Sequence, residues 1–248
     1  MPHPKPYPRC IYCGERANSR QHVIPAWLAR RFGLKGLLLQ AVSSVNVTHP
    51  IRHPISFASH RGRITCKECN WFFKHLEDQV ADTIEWMARG RAIRLDTEQL
   101  ALIGIWGAKT GIELIAIYPD FRELVPQEHR HALRYQECPH DDCWVGYCSW
   151  GGSIANFVGD QSLGAPDADG AERFYRCYGA IFTFEKLALK VSGLLTPIPG
   201  YGPDWDNASI RQMWPPRHFS LNWPLFPAAQ EGNFGALCEL APFRSKPS

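Results

Sequence analysis

Residues 66–77 have the sequence CKECNWFFKHLE, in which a Cys-x-x-Cys pair runs directly into a segment with helical periodicity. Beyond this point apolar side chains recur at three- and four-residue steps, at Phe73, Leu76, Val80, Ile84 and Met87. This spacing places them on one face of a helix. The pattern predicts a helix that begins at Asn70 and ends near Gly90.

The first Cys-x-x-Cys pair along the chain is in Cys10-Ile-Tyr-Cys13-Gly14, and 52 residues lie between Cys13 and Cys66 of the second pair. Each pair can place two thiolates on one metal ion from a tight turn, and two pairs complete the tetrahedral four-sulfur site that zinc accepts. A site closed by four sulfurs leaves no position for water. We therefore expect a structural zinc ion held by Cys10, Cys13, Cys66 and Cys69. The alternative is two unrelated cysteine pairs in turns.

The remaining cysteines are less regularly spaced. Cys138, His140, Cys143 and Cys148 could form a second metal site, or Cys148 could pack in a strand as a small hydrophobic side chain. Cys177 and Cys238 are expected to be ordinary buried thiols.

Charge is distributed unevenly along the 248 residues. Residues 1–95 contain 15 Lys and Arg against 6 Asp and Glu, a net charge of +9, whereas residues 96–248 contain 12 against 18, a net charge of −6. A basic half of this kind is expected to meet a polyanion, the alternative being a well-solvated basic surface. The sequence has neither an apolar run of ~18 residues nor an apolar signal segment, so we expect a cytoplasmic protein with no membrane partner.

Helical and strand-like patterns follow one another along the chain. PAWLARRF predicts a short helix that starts at Pro25, residues 62–65 predict a short strand, and residues 97–118 predict a helix that is buried on most sides. Beyond about residue 140, CWVGYCSW, RFYRCYGAIFTF and KLALKVSGLL are typical of strands. We expect an α+β fold, with a zinc-clamped module over residues 1–95 and a mixed helix and antiparallel-strand domain over residues 96–248.

Three motifs in this order resemble the HNH, or His-Me finger, nuclease superfamily: CIYCG, then SRQHVIPAWL, then CKECNWFFKHLE. Bacterial HNH-like proteins often contain CxxCG, an acidic residue and histidine before IPxWL, and CxxCN. The resemblance covers about residues 10–77. It implies a ββα-metal module and a metal-dependent endonuclease that hydrolyses phosphodiester bonds in nucleic acid, with DNA as the expected substrate.

The resemblance also implies a role for particular residues. His22 would be the general base that takes a proton from the attacking water, and Asn70 would be a ligand of a catalytic Mg²⁺ or other divalent cation. Gln21 stands where the family has an acidic metal ligand, so we expect Gln21→Glu to lower the Mg²⁺ requirement. Arg20, Arg61, Arg63 and Lys74 are expected to contact phosphates.

Two other functions remain open. Because Gln21 is a weaker metal ligand than a carboxylate, the module could be a degenerate HNH site that binds nucleic acid or a protein partner without cleaving. Alternatively, the acidic residues 96–248 could form an effector or ligand-sensing region that regulates the nuclease. The sequence contains no phosphate loop, dinucleotide-binding motif or Ser/His/Asp motif there.

Overall fold

The structure is a computed structural model. It describes residues 8–33, 38–43, 54–56, 61–118, 121–152, 155–166, 172–198, 201–203, 205, 210–216, 219–224, 228 and 243–245. Its helices are α1 (Ala26–Arg31), α2 (Lys67–Ala88), α3 (Thr97–Ala116) and α4 (Gln127–His131), the last continuing into a π-helical turn (Ala132–Gln136). Cys238 lies outside the described residues.

Helix α2 begins three residues earlier than the periodicity predicts. Its N-cap is Cys66, whose sulfur accepts a hydrogen bond from the Cys69 amide at 3.4 Å. The side chain of Asn18 accepts a second hydrogen bond, from the Lys67 amide at 2.9 Å. These acceptors satisfy amides that have no partner within the helix, so the second Cys-x-x-Cys pair belongs to the first turn of α2.

Helix α3 is the buried helix that the sequence predicts. Asp96 and Gln99 form a reciprocal capping box at its start, which satisfies two backbone donors. From Trp106 to Ala116 every residue is buried, including Lys109 and Glu113. A helix buried on all sides in this way needs partners for its charged side chains.

A seven-stranded sheet covers one side of α3. Its strands are β2 (Leu38–Ser43), β3 (Pro54–Ser56), β6 (Cys143–Ser149), β7 (Ala155–Pro166), β8 (Glu172–Phe184), β9 (Leu187–Leu194) and β11 (Arg211–Trp214). Their spatial order is β11, β6, β9, β8, β7, β2 and β3. All neighbouring pairs are antiparallel except the parallel pair of β2 with β7.

Three antiparallel two-stranded sheets complete the described architecture. They pair β1 (Ser19–His22) with β4 (Arg61–Thr65), β5 (Ile93–Asp96) with β12 (Ser220–Trp223), and β10 (Tyr201–Pro203) with β13 (Phe243–Ser245). The pairing of β5 with β12 joins segments more than 120 residues apart in sequence.

Glycines in α3 allow the sheet to approach the helix closely. A Cβ atom at Gly107 would lie 2.6 Å from Val145 Cγ1, and one at Gly111 would lie 2.5 Å from Val191 Cγ2. Gly104 has a similar contact, at 2.8 Å from Trp214 Cβ. Since real Cβ atoms do not come this close to other atoms, only glycine permits the observed separation.

The predicted α+β class, mixed helix with antiparallel sheet, is confirmed. One continuous cluster of buried side chains includes Tyr12 and Phe73 as well as Ile112, Tyr147 and Phe182. The hydrophobic core therefore extends across residue 95, and β2 from the first part of the chain belongs to the large sheet. The division into units 1–95 and 96–248 stays a prediction.

None of the described helices combines the length and the apolar character that crossing a bilayer requires.

Replacing Gly111 with alanine is expected to destabilise the protein by ~1–3 kcal/mol because the new methyl group overlaps Val191. This cost outweighs the gain of up to ~1 kcal/mol in helix propensity. Chemical denaturation measures it. Gly179→Ala is the matched control, since its Cβ meets only the Val191 carbonyl oxygen at 3.7 Å. Equal stability of the two variants would contradict the close approach.

Candidate functional site

The four predicted zinc ligands converge. The sulfur atoms of Cys10, Cys13, Cys66 and Cys69 all lie within 4.8 Å of one another, and those of Cys13 and Cys66 are 3.6 Å apart. Bonds of about 2.3 Å to a tetrahedral zinc ion require sulfur separations of about 3.8 Å. The cluster is therefore compatible with a structural zinc site, as the spacing of the two pairs predicts.

The first Cys-x-x-Cys turn is formed by local backbone geometry. Gly14 has a φ of 77°, in the left-handed region that glycine adopts without strain, and its amide donates to the Cys10 carbonyl at 3.0 Å. The amide of Ile11 donates to the Ile64 carbonyl at 2.8 Å. The turn is thereby attached to β4, the strand that leads into the second pair.

The thiols perturb one another strongly. The hydrogen bond with Cys69 lowers the pKa of the Cys10 thiol to about 4, whereas burial raises the pKa of Cys13 to about 11. Four thiolates in so small a volume repel one another, so a bound cation is needed for all four to be deprotonated together.

The second cysteine group does not form a comparable cluster. In the described part of the chain, the four cysteines above are the one set of three or more His, Cys, Asp or Glu side chains arranged to hold a metal ion. Burial raises the pKa values of Cys143 and Cys148 to about 12. These two residues and Cys177 are buried thiols, in agreement with the packing interpretation.

Two antiparallel strands and a helix carry the predicted catalytic residues. Ser19 of β1 pairs with Thr65 of β4, and His22 pairs with Arg61. Asn70, in the first turn of α2, donates from Nδ2 to Ser19 Oγ at 2.9 Å. This contact holds the Asn70 amide group against β1, three residues from His22. The backbone arrangement is therefore strand, strand and helix, with the cysteine cluster at the junction.

Gln21 lies in the interior. It is 4% exposed, and its Nε2 donates to both carboxylate oxygens of Glu113, at 2.7 and 2.9 Å. Its Oε1 accepts from Thr65 Oγ1 at 2.6 Å. Because neighbouring side chains on a strand alternate in direction, the half-buried His22 and Gln21 are on opposite sides of β1. The Gln21 amide is fully used by hydrogen bonds within the core.

Glu113 is the centre of a larger buried network. It also accepts a hydrogen bond from the Tyr12 hydroxyl at 3.2 Å and forms an ion pair with Lys109 at 3.0 Å. Lys109 forms a second ion pair with Glu77 of α2, at 2.6 Å. The side chains of Lys109 and Glu113 are completely buried, and that of Glu77 is 16% exposed. Three charged side chains thus connect α2, α3, β1 and the first cysteine turn.

Burial and charge act against each other in this network. Burial raises the pKa of Glu113 to about 7, although the positive charge of Lys109 favours the carboxylate. Burial favours neutral Lys109, but the charges of Glu113 and Glu77 outweigh this effect and raise its pKa. Each partner is therefore required for the other to remain charged inside the protein.

The predicted phosphate contacts differ in their surroundings. Arg20 and Arg63 are exposed on the same two-stranded sheet as His22. Lys74 is exposed but forms an ion pair with Asp78 at 2.8 Å, which reduces the charge it can offer to a phosphate. The side chain of Arg61 lies outside the described part of the structure.

Sequence reasoning missed Tyr12, Lys109 and Glu113. One signal was available: Lys109 and Glu113 are four residues apart in a helix that is otherwise almost entirely apolar. Charged side chains in a buried helix require partners, and the i,i+4 spacing indicates that they partner each other.

Comparison with models of known protein families, with curated proteins and with solved structures yields no match for this chain. The chemistry of the site is therefore argued from its own residues.

Purified protein is expected to contain about one zinc ion per chain, as a closed four-thiolate site requires. Cys66→Ser should reduce the zinc content to well below half and lower the unfolding temperature, because metal binding and folding are coupled. Elemental analysis and thermal unfolding measure both effects. Cys138→Ser, which removes a half-buried cysteine outside the cluster, is the control. Full zinc content in Cys66→Ser would contradict the assignment.

The surroundings of Gln21 predict that Gln21→Glu also changes the stability of the protein. Gln21→Glu would place a second carboxylate within hydrogen-bonding distance of Glu113, and two buried like charges repel strongly. We expect a loss of more than ~2 kcal/mol in the free energy of unfolding at neutral pH. The loss should shrink on acidification, when the two groups can share a proton. Gln79→Glu, on an exposed part of α2, should leave stability nearly unchanged.

Proposed function

We propose that this protein is a metal-dependent nuclease of the HNH type that hydrolyses phosphodiester bonds in nucleic acid. The observation that carries the proposal is the joining of β1, β4 and α2 around the four-cysteine cluster. This arrangement holds the strand of His22 against the helix turn of Asn70. The order of the three sequence motifs supports it, since that order resembles the HNH superfamily.

His22 acts as the general base in this proposal. An imidazole has a pKa near neutrality, so it can take a proton from a water molecule at physiological pH. Its backbone is fixed by the pairing with Arg61 and by the buried hydrogen bonds of Gln21. A base held in this way can be aligned with the attacking water before substrate binds.

Asn70 supplies a ligand for a catalytic divalent cation such as Mg²⁺. Its Nδ2 is engaged by Ser19, which orients the amide oxygen, the kind of hard atom that Mg²⁺ accepts. Such a cation would stabilise negative charge on the phosphate and on the leaving oxygen. Gln21 is assigned a supporting role, because its amide is used within the core.

The cysteine cluster serves as a structural zinc site in this scheme. Four sulfur ligands leave no open position for water or substrate, so its contribution is to fix the first cysteine turn to α2. Asn70 directly follows Cys69 in sequence, so a zinc ion held by the four cysteines would help to fix where the amide group of Asn70 lies.

Nucleic acid is the proposed substrate because of charge. Residues 1–95 have a net charge of +9, and Arg20 and Arg63 are exposed on the two-stranded sheet that contains His22. Such side chains contact phosphates and position a duplex without reading its sequence. Duplex DNA is the first substrate to test.

The second candidate function is a zinc module that binds nucleic acid without cleaving it. The observation that favours it is that Gln21 is hydrogen-bonded to Glu113 and Thr65. The site therefore has one metal ligand fewer than a site in which an accessible carboxylate precedes the histidine. The two functions separate in a cleavage assay under several divalent metals. Salt-dependent binding without cleavage would support the second.

His22→Ala is expected to reduce nicking of supercoiled plasmid by at least ~100-fold, because general base catalysis contributes about two to four orders of magnitude. Zinc content and unfolding temperature should match the parent protein. Gel assays with Mg²⁺ and Mn²⁺ give the rates. His75→Ala removes an exposed histidine of α2 as the control. If His22→Ala nicks as fast as His75→Ala, the catalytic assignment is wrong.

A further inference from the structure

Glu113 contacts two segments that are separate in sequence and that both belong to the candidate site. Its carboxylate accepts from Tyr12, which lies between the zinc ligands Cys10 and Cys13, and from Gln21, the neighbour of His22. Both contacts are fully buried and 3.2 Å or shorter. One carboxylate from α3 therefore fixes the cysteine turn and the strand of His22 relative to each other.

Burying a carboxylate at this position costs free energy that an apolar side chain filling the core would not cost. A well-packed apolar side chain generally stabilises a protein as much as a buried ion pair or more. Glu113 is 0% exposed, and its charge is balanced by Lys109, which Glu77 of α2 holds in turn. Three charged side chains thus join elements that a hydrophobic contact could also join. A hydrophobic contact, however, would not fix the orientation of the side chains.

Directional control matters because of the alternation along β1. Hydrogen bonds from both donors of a buried amide specify the rotation of the Gln21 side chain, as packing of an apolar group would not. When Gln21 is fixed toward α3, the His22 side chain is directed to the opposite side of the strand. The orientation of the His22 imidazole then depends on the hydrogen bonds between Gln21 and Glu113 on the other side of β1.

We propose that Glu113 is a positioning residue. It acts through Gln21 to hold the His22 imidazole in the orientation needed for catalysis, and through Tyr12 to hold the first cysteine turn against the same strand. The inference rests on the proposed function for its catalytic consequence. Helix α3, which belongs to the acidic half of the sequence, is thereby part of the candidate site.

An exchange of the two side chains tests this proposal. Glu113→Gln removes the negative charge and one of the two acceptor oxygens opposite the Gln21 amide. Gln21→Glu removes the donor and places a second carboxylate opposite Glu113, so each single variant weakens the pair. The double variant, Gln21→Glu with Glu113→Gln, restores an amide facing a carboxylate in the opposite sense. The volume of the core hardly changes among the four proteins.

The first readout does not require activity. Histidine-selective NMR of the full-length zinc-loaded protein reports the environment of the His22 ring, assigned by its loss in His22→Ala. We expect the His22 signals to shift or broaden in each single variant and to return toward the parent position in the double variant. Glu98→Gln, on the exposed first turn of α3, should leave them unchanged. His22 signals that are identical in all four proteins would overturn the proposal.

The second readout is the steady-state cleavage of DNA. Each single variant should lower kcat by ~10- to 100-fold, the usual effect of displacing a catalytic group by about 1 Å, with KM changed less than about twofold. The double variant should recover most of kcat. Recovery of thermal stability without recovery of kcat or of the His22 signals would show a purely structural role. Absence of cleavage by the parent protein would refute the nuclease function alone, since the NMR comparison still decides the positioning role.

Discussion

The buried ion pair between Lys109 and Glu113 connects α3 with α2, β1 and the first cysteine turn. Both side chains are completely inaccessible to solvent, and their charged atoms are 3.0 Å apart. Removing Lys109 would leave the charge of Glu113 uncompensated in the core, at a cost of about 3–5 kcal/mol. Helix α2 must therefore supply Glu77, and β1 and the first cysteine turn must supply their donors. The positions of these elements follow from the need to satisfy two buried charges.

The cysteine cluster and the charged network divide the task of holding the candidate site. The cluster joins the two Cys-x-x-Cys turns and so fixes the start of α2, where Asn70 lies. The network contacts β1 through Gln21, whose side chain it holds toward α3. A metal ion can fix the ends of segments at one point, but it cannot set the rotation of a strand about its own axis. The hydrogen bonds of the charged network supply this rotational constraint, which the cysteine cluster alone does not.

The parts of the structure that could be predicted from sequence are those determined by local patterns. The apolar spacing from Phe73 to Met87 is sufficient for α2, and the paired Cys-x-x-Cys spacing is sufficient for the cluster. The long apolar segments beyond residue 140 are strands, as expected. Strand β2 depends instead on a distant contact, because it pairs with β7, more than 100 residues later in the chain.

The direction of the Gln21 side chain, in contrast, could not be predicted from local sequence patterns. Nothing within a few residues of it indicates a buried carboxylate 92 positions later, so its position beside a histidine suggested a metal ligand. Helix α2 starts three residues before the predicted Asn70 for a similar reason, since one capping oxygen comes from Asn18, 49 positions earlier. Both differences arise from tertiary contacts, which override local preference where buried polar groups must be paired.

Helix α3 carries its two essential surfaces on nearly opposite sides. At about 100° per residue, Lys109 is ~200° from Gly111, so the glycines face the large sheet while the charges face β1 and α2. Adding or deleting a single residue between Gly104 and Glu113 would keep the helix intact yet rotate one surface away from its partners. A change in the length of this helix would separate the glycines from the sheet or the charges from their partners. Insertions and deletions should therefore be confined to the loops on either side of it throughout the evolutionary history of the fold.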